Sequence, residues 1–317
     1  MPQLKSSWAR MTPSIGEVAA LITALCYSAS SVFFTMAGRK FGPLVTNRLR
    51  LVIAVLLLGT AHWIFFGTPI PSNADPERWF WLGSSGIVGL VIGDLFLFQA
   101  YITLGPRLGL LFLSLSPALT TLLAWIFLGE ILSTGNIFGI VLTLAGISWV
   151  VMESNPTAKP HREINSDINQ KLYIKGIFAG LIAATGQSCG MVLAKNGLTG
   201  NFPVLSANVI RMSVAFLALW VVTIIQGQVI TTVRQATDQR FGLLYILGGS
   251  FFGPLIGVSL SLFAIQNINL GIASTIIALP PIFLLPIGHF VFKERITWHA
   301  VVGTLIAVTG VALLFLI

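Results

Sequence analysis

The chain has 317 residues, of which 55% are hydrophobic and only 9% are charged. Soluble domains carry about a quarter charged residues, so this composition excludes a soluble globular protein. The formal net charge of +8 does not indicate nucleic-acid binding. The basic residues lie in short connections and at the ends of apolar runs, where they meet the anionic headgroups of a lipid bilayer.

Ten apolar runs follow one another along the chain, and each is long enough to cross a bilayer, which takes about 20 residues. They lack the alternating pattern of a membrane barrel, and helices satisfy their backbone groups internally, so an all-α multi-pass membrane protein is predicted. The first run follows basic residues as a signal peptide would, but its counterpart in the sixth run favours a span. The predicted spans are 14–37, 43–66, 79–103, 106–129, 134–152, 173–197, 203–226, 239–265, 269–292 and 297–317.

The first half of the chain is repeated in the second half. Residues 153–172 form the only long polar stretch and separate a first repeat, 1–152, from a second repeat, 173–317. LITALCYSASSV at position 21 aligns with LIAATGQSCGMV at position 181, and Gly89 to Gly146 recur without gaps 164 positions later. Each repeat has five spans, an odd number, so the repeats lie oppositely in the membrane. Ten transmembrane helices as two inverted five-helix repeats are typical of secondary transporters.

The first and sixth spans carry aligned polar residues, with Tyr27 opposite Gln187 and Ser28 opposite Ser188. Hydroxyl and amide groups inside spans often bond only the helix backbone or a neighbouring helix. The two cysteines, Cys26 and Cys189, have neither a disulfide framework nor metal-ligand spacing.

The second and seventh spans carry Arg50 and Arg211 about two turns from their ends. An arginine at this depth can extend to the membrane surface, or it can contact a substrate carboxylate. Its presence in both repeats favours the structural role. His62 and His289, near span ends and beside aromatic residues, are expected at the interface.

The third span contains Asp94, whose counterpart in the eighth span is Val258. A carboxylate at that depth costs several kcal/mol unless it is paired, hydrated or protonated. Low dielectric favours the neutral acid, which makes Asp94 a candidate for proton coupling. The alternative is a structural acid paired with an arginine from a neighbouring span. The nearby GLVIG, 89–93, and its counterpart GPLIG, 253–257, are GxxxG patterns that predict close helix packing.

The fourth and ninth spans contain Pro117 and Pro281, which are 164 positions apart. Each proline removes a helical hydrogen bond and predicts a kink beside a cavity. The same spans end at Glu130 and Glu294, each followed three residues later by Ser133 or Thr297 as the N-cap of the next span. We expect these glutamates to stabilise the turns, a structural role, because interfacial acids are far less costly than buried ones.

The stretch GDLFLFQAYITLGPRLGLLFLSLSPALTTLLAWIFLGE, 93–130, resembles the EamA family of the drug/metabolite transporter superfamily, as do the paired proline-to-glutamate segments. The resemblance covers nearly the whole chain as two EamA units. It implies a ten-span carrier that exports amino acids or similar small metabolites through a central cavity. The residues predicted to line that cavity are Tyr27, Ser28, Ser31, Tyr101, Ser114, Ser116, Gln187, Ser188 and Ser259.

The sequence lacks the motifs of ATP-driven transporters and of metal-dependent membrane enzymes. There is no GxxxxGK[ST], no HExxH and no Asp-rich pair, so neither ATP hydrolysis, a metal nor a cofactor is predicted, and an intramembrane enzyme is disfavoured. The predicted function is secondary active transport of a small metabolite across the cell (inner) membrane, with a passive channel or facilitator as the alternative. Counting Lys and Arg in the connections places both termini outside, whereas the family resemblance implies termini inside. Substrate and oligomeric state stay open.

Overall fold

The computed structural model describes residues 15–128, 134–153, 166–200, 202–267, 276–292 and 297–316. Within these ranges the chain is helical and contains no strand, as predicted. In the first repeat the helices are Ile15–Phe66, Pro76–Ser85, Asp94–Leu104, Pro106–Leu113, Ser116–Leu128 and Thr134–Glu153, with a π-helix at Gly86–Gly93. In the second repeat they are Ser166–Gly197, Val204–Ile225, Val229–Asp238, Arg240–Ser250, Val258–Asn267, Pro280–Phe292 and Trp298–Leu316, with a π-helix at Phe251–Gly257.

Several of these helices meet the length and hydropathy that a membrane crossing requires. Five described stretches do so outright, and three shorter apolar helices accompany them. The five are Ile15–Phe66, Pro76–Leu104, Gln170–Gly197, Val204–Ile225 and Arg240–Ala264. The protein is therefore an all-α, multi-pass membrane protein.

The helix Ile15–Phe66 contains two spans rather than one. Its 52 residues would measure roughly 78 Å at the α-helical rise, whereas the hydrocarbon core of a bilayer is about 30 Å thick. Gly42 has φ +77°, a conformation that glycine adopts at no steric cost, and Pro43 begins the helix that follows. The same Gly-Pro device recurs at Gly105, where φ is +88°, between the third and fourth spans. The predicted breaks at these two places are confirmed.

Two features differ from the prediction. The helix that contains the sixth span begins at Ser166, inside the predicted polar linker 153–172, because a helix that leaves the membrane needs no apolar residues to continue. A short helix, Val229–Asp238, lies between the seventh and eighth spans. Arg48 holds it through hydrogen bonds to Thr232 Oγ1 at 3.1 Å and to Gln228 Oε1 at 2.7 Å.

Equivalent helices of the two repeats make equivalent contacts. The first span packs against the eighth as the sixth packs against the third, and the fifth packs against the tenth. Ser30 Oγ donates to the Gly249 carbonyl at 2.9 Å, and Ser85 Oγ donates to the Gly190 carbonyl at 2.6 Å. In the repeat alignment Ser30 corresponds to Gly190 and Ser85 to Gly249, so one bond is the inverted copy of the other.

Candidate functional site

The third and eighth spans both change to a π-helix at the same place in the repeat, at Gly86–Gly93 and Phe251–Gly257. The GxxxG patterns lie inside these segments, and a Cβ atom on Gly190 of the sixth span would lie only 3.0 Å from Gly89 Cα. The prediction that these glycines serve close packing is confirmed. π-Helical turns inside α-helices are frequent at functional sites.

Two aligned asparagines donate to backbone carbonyls of the π-helices. Asn47 of the second span donates through Nδ2 to the Leu90 carbonyl at 3.0 Å. Asn208 of the seventh span donates in the same way to the Pro254 carbonyl at 3.0 Å. Polar backbone groups inside a membrane need such partners. In the sequence Asn47 and Arg50 align with Asn208 and Arg211, 161 positions later, but that alignment did not give either asparagine a role.

Asp94 lies at the junction of the π-helix and the rest of the third span, with 5% of its surface exposed. Its Oδ2 pairs with Arg50 Nη2 at 2.7 Å, and its Oδ1 accepts a hydrogen bond from Gln187 Nε2 at 2.7 Å. Arg50 Nη2 also donates to Asn47 Oδ1 at 3.1 Å. The expected pairing with an arginine from a neighbouring span is therefore present, whereas the choice between a structural and a proton-coupling role for Asp94 stays a prediction. Asp94 thereby joins the second, third and sixth spans.

The expectation that Arg50 and Arg211 extend to the membrane surface is wrong. Arg50 is 4% exposed and Arg211 is 6% exposed. Arg50 turns inward because Asp94 offers a charge partner at closer range than the headgroups. Its guanidinium also lies over the ring of Phe98, 5.4 Å from the centroid, which adds a cation–π contact.

Arg211 faces the same centre from the seventh span but has no such partner. Its Nε atom is buried and has no hydrogen-bond partner in the described part of the chain. The guanidinium is within electrostatic range of Asp94 and of Tyr27. A Cβ atom on Gly89 would lie 3.8 Å from Arg211 Nη2 and 3.7 Å from Gln187 Oε1, so both side chains lie beside this glycine. Two arginines therefore share one carboxylate.

Two tyrosines, Tyr27 and Tyr101, lie near Asp94. Tyr101 is buried, and both Tyr101 and Tyr27 lie within electrostatic range of the Asp94 carboxylate. The Tyr27 hydroxyl donates to Ser261 Oγ of the eighth span at 3.3 Å. We call Arg50, Asp94, Gln187, Arg211 and Tyr27 the central cluster.

Ser28 and Ser188 occupy equivalent positions and tie the first and sixth spans to the proline-interrupted spans. Ser28 Oγ lies 3.4 Å from the Pro280 carbonyl of the ninth span, and Ser188 Oγ donates to the Ser116 carbonyl of the fourth span at 3.0 Å. Each hydroxyl also donates to the carbonyl four residues earlier in its own helix. Exposure is 1% for Ser28 and 0% for Ser188.

The other predicted lining residues separate into two groups. The hydroxyls of Ser31, Ser114 and Ser116 donate to the carbonyls of Ser28, Leu110 and Ala184, respectively. Ser259 Oγ accepts from Asn208 Nδ2 at 3.5 Å, and its side chain, like those of Tyr27 and Gln187, is only half-buried. The structure therefore brings Tyr27, Tyr101 and Gln187 to Asp94, whereas the hydroxyls of Ser28, Ser31, Ser114, Ser116 and Ser188 bond to the backbone elsewhere. A substrate-lining role stays a prediction for all nine.

The proline segments are interrupted as predicted. The fourth span breaks at Ser114 and Leu115, just before Pro117, and the described helix of the ninth span starts at Pro280, so that Pro281 is its second residue. Thr297 Oγ1 accepts a hydrogen bond from the Ala300 amide at 3.3 Å, which confirms this N-cap. Glu130, Glu294 and Ser133 lie outside the described residues.

His62 is a further correction to the sequence analysis. It was expected at the interface, but it is buried, and its Nε2 lies 3.0 Å from Ser206 Oγ of the seventh span. A polar partner on the facing helix allows it to be buried near the span end. His289 is exposed, in agreement with the interfacial expectation. Among the described residues, no group of three His, Cys, Asp or Glu side chains could hold a metal ion.

Comparison with known proteins supplies the last observations. The sequence model described as the EamA-like transporter family matches residues 14–152 and again residues 174–316. A solved crystal structure is similar over 96% of this chain and 98% of its own length, with a TM-score of 0.60 and 16% sequence identity. At that identity the likeness concerns the fold. A search of curated proteins finds no significant match.

Proposed function

Because the chain belongs to the EamA-like transporter family, we propose that it is a secondary active transporter that exports a small metabolite across the cell membrane by alternating access. Membership of the family and the multi-pass helical fold together make it a membrane transporter. The proposal of secondary active transport by alternating access rests on the central cluster, a charged and asymmetric group of side chains where two inverted repeats meet. Transporter sites lie near the bilayer midplane at such a meeting point.

The repeat contacts support alternating access. The bond from Ser30 to Gly249 and the bond from Ser85 to Gly190 are inverted copies of each other. Two repeats with the same contacts can exchange conformations, so an arrangement open to one side has an equivalent open to the other. A passive channel has no need of this symmetry.

The fourth and ninth spans are the elements that we propose to move. Pro117 and Pro281 interrupt them, and a break in the helix lets the two parts of a span bend independently. Ser188 and Ser28 join these breaks to the sixth and first spans, which carry Gln187 and Tyr27. Bending at either proline is thereby connected to the central cluster.

Counterflow in proteoliposomes tests the transport mechanism. The probe is the metabolite most enriched in the medium of cells that overproduce the protein. Vesicles loaded with unlabelled metabolite should take up the labelled form transiently above equilibrium, and the initial rate should saturate. A channel would give neither overshoot nor saturation, and protein-free vesicles are the control.

Thiol accessibility tests the proposed lining. In a variant lacking Cys26 and Cys189, cysteine replacing the half-buried Tyr27, Gln187 or Ser259 should react with small aqueous thiol reagents, and the transported metabolite should slow the reaction. Thr143→Cys is the control, because this side chain is fully buried between the fifth and tenth spans, outside the predicted lining, and should react at least tenfold more slowly. Equal reactivity of all four thiols, or three inert thiols in the test set, would contradict the lining.

A further inference from the structure

The charges of the central cluster are unequal. Arg50, Asp94 and Arg211 are each more than nine-tenths buried, and two guanidinium groups face one carboxylate. Both carboxylate oxygens already have partners, because Oδ2 pairs with Arg50 and Oδ1 accepts from Gln187. The cluster therefore holds one positive charge in excess, and an uncompensated buried charge is costly.

The repeat shows where the second acid would stand. In the first repeat the Asn47–Arg50 segment faces Asp94. The second repeat has the equivalent segment, Asn208–Arg211, but it has Val258 at the position that aligns with Asp94. The scaffold thus repeats the arginine without repeating its acid. If Arg211 had the same structural role as Arg50, we would expect an acid at position 258 to pair with it, as Asp94 pairs with Arg50.

We infer that the Arg211 guanidinium binds the carboxylate of the transported molecule, so that the substrate is a small monocarboxylate; this inference rests on the proposed function. A planar guanidinium matches a carboxylate with two parallel hydrogen bonds. One excess positive charge matches one negative charge, which favours a carboxylate over a doubly charged phosphate. The Nε atom of Arg211 has no hydrogen-bond partner among the described residues, so the hydrogen-bonding capacity of this guanidinium is not used up within the protein.

Gln187 is the residue beside Arg211 that we expect to add selectivity. Arg211 Nη2 and Gln187 Oε1 both lie within 4 Å of where a Cβ atom on Gly89 would stand, so no side chain from that position comes between them and a ligand. Gln187 donates through Nε2 to Asp94 Oδ1 and to the Gly89 carbonyl, so its amide is held in one orientation and its Oε1 can act as an acceptor. A hydrogen-bond donor next to the substrate carboxylate, such as a hydroxyl or an amine, has Gln187 Oε1 as its acceptor.

Ligand-induced stabilisation of the purified full-length protein tests the inference. The probes are small monocarboxylic acids, each paired with the primary amide of the same skeleton, and inorganic phosphate is a separate arm. At least one acid should raise the melting temperature in detergent while its amide does not. In Arg211→Met the dissociation constant of that acid should rise at least tenfold, whereas Arg234→Met, which removes an exposed arginine, should leave it unchanged.

The ligand-free protein gives a second readout. Arg211→Met removes an uncompensated buried charge and should raise the melting temperature without ligand, while a structural arginine would lower it. A lower melting temperature, unchanged acid binding in Arg211→Met, equal binding of acids and amides, or stronger stabilisation by phosphate would each overturn the inference. These measurements do not require transport, so a failure of counterflow overturns the transport proposal separately.

Discussion

Asp94→Asn is expected to abolish accumulation driven by a pH gradient while leaving substrate exchange at equal pH partly intact. Asp94 is the only acid deep within a predicted span of the sequence, so it is our candidate for the group that carries a coupled proton. Asparagine has nearly the same shape and can still accept a hydrogen bond from Gln187, but it cannot load and release a proton. The measurement compares gradient-driven uptake with equal-pH exchange in proteoliposomes, each normalised to folded protein.

The matched control is Asp238→Asn, which removes an acid from an exposed ion pair with Arg234 at 3.8 Å. Both transport modes should be unchanged in that variant, because exposed pairs contribute little. If Asp94→Asn remains active with the pH dependence of the native carrier, Asp94 is not the proton site. If both modes fall together with the amount of folded protein, Asp94 is the structural partner of Arg50 and nothing more.

The architecture was predictable from sequence because membrane spans and repeats are properties of the chain itself. Apolar runs of the right length define the spans, and the constant offset between Gly89–Gly146 and its copy defines the repeat. The predicted spans also give the depth of each residue in the membrane, and this depth identified Asp94 as a candidate functional residue. The Gly-Pro turns at Gly42 and Gly105 lie where the second and fourth spans are predicted to begin. Glycine and proline restrict or relax the backbone at their own position, so their effect on a helix end can be read from the sequence.

The partners of the buried polar groups could not be read from the sequence. Sequence gives the depth of Arg50 but not the direction in which it turns, and depth alone suggested the membrane surface. The sequence shows that Ser28 and Ser188 are polar but not that each hydroxyl bonds a carbonyl of its own helix, as both do here. The π-helix at Gly86–Gly93 was also missed, because GxxxG predicts close packing for either helix type.

The asymmetry between the repeats carries more information about function than the symmetry does. Residues repeated in both halves, such as Asn47 and Asn208, satisfy the backbone of a repeated π-helix. Asp94 and Gln187 are not repeated, and they occupy the centre with Arg211. In our proposal the inverted scaffold supplies alternating access, and the substrate and coupling groups arise where one repeat has an acid beside its arginine and the other does not.

Arg50→Met is expected to lower the stability of the folded protein by about 3–5 kcal/mol, the range for removing one partner of a buried ion pair. The pair with Asp94 is 2.7 Å long, and both side chains are at most 7% exposed. Methionine fills much of the volume of the arginine stem, so the loss reports the missing charge and hydrogen bonds rather than a cavity. The measurement is the free energy of unfolding in detergent micelles, or the melting temperature where unfolding is irreversible.

The double variant Arg50→Met with Asp94→Val tests whether the lost stability comes from the ion pair between Arg50 and Asp94. Valine reproduces Val258, the residue that the second repeat has at this position. If the charges stabilise each other, removing both should cost less than the sum of the two single changes, since neither partner is left unpaired. Arg211→Met is the contrasting control, because the same change at the aligned arginine is expected to raise stability. A strictly additive double variant would show that Arg50 acts through its packing on Phe34 and Phe98 rather than through Asp94.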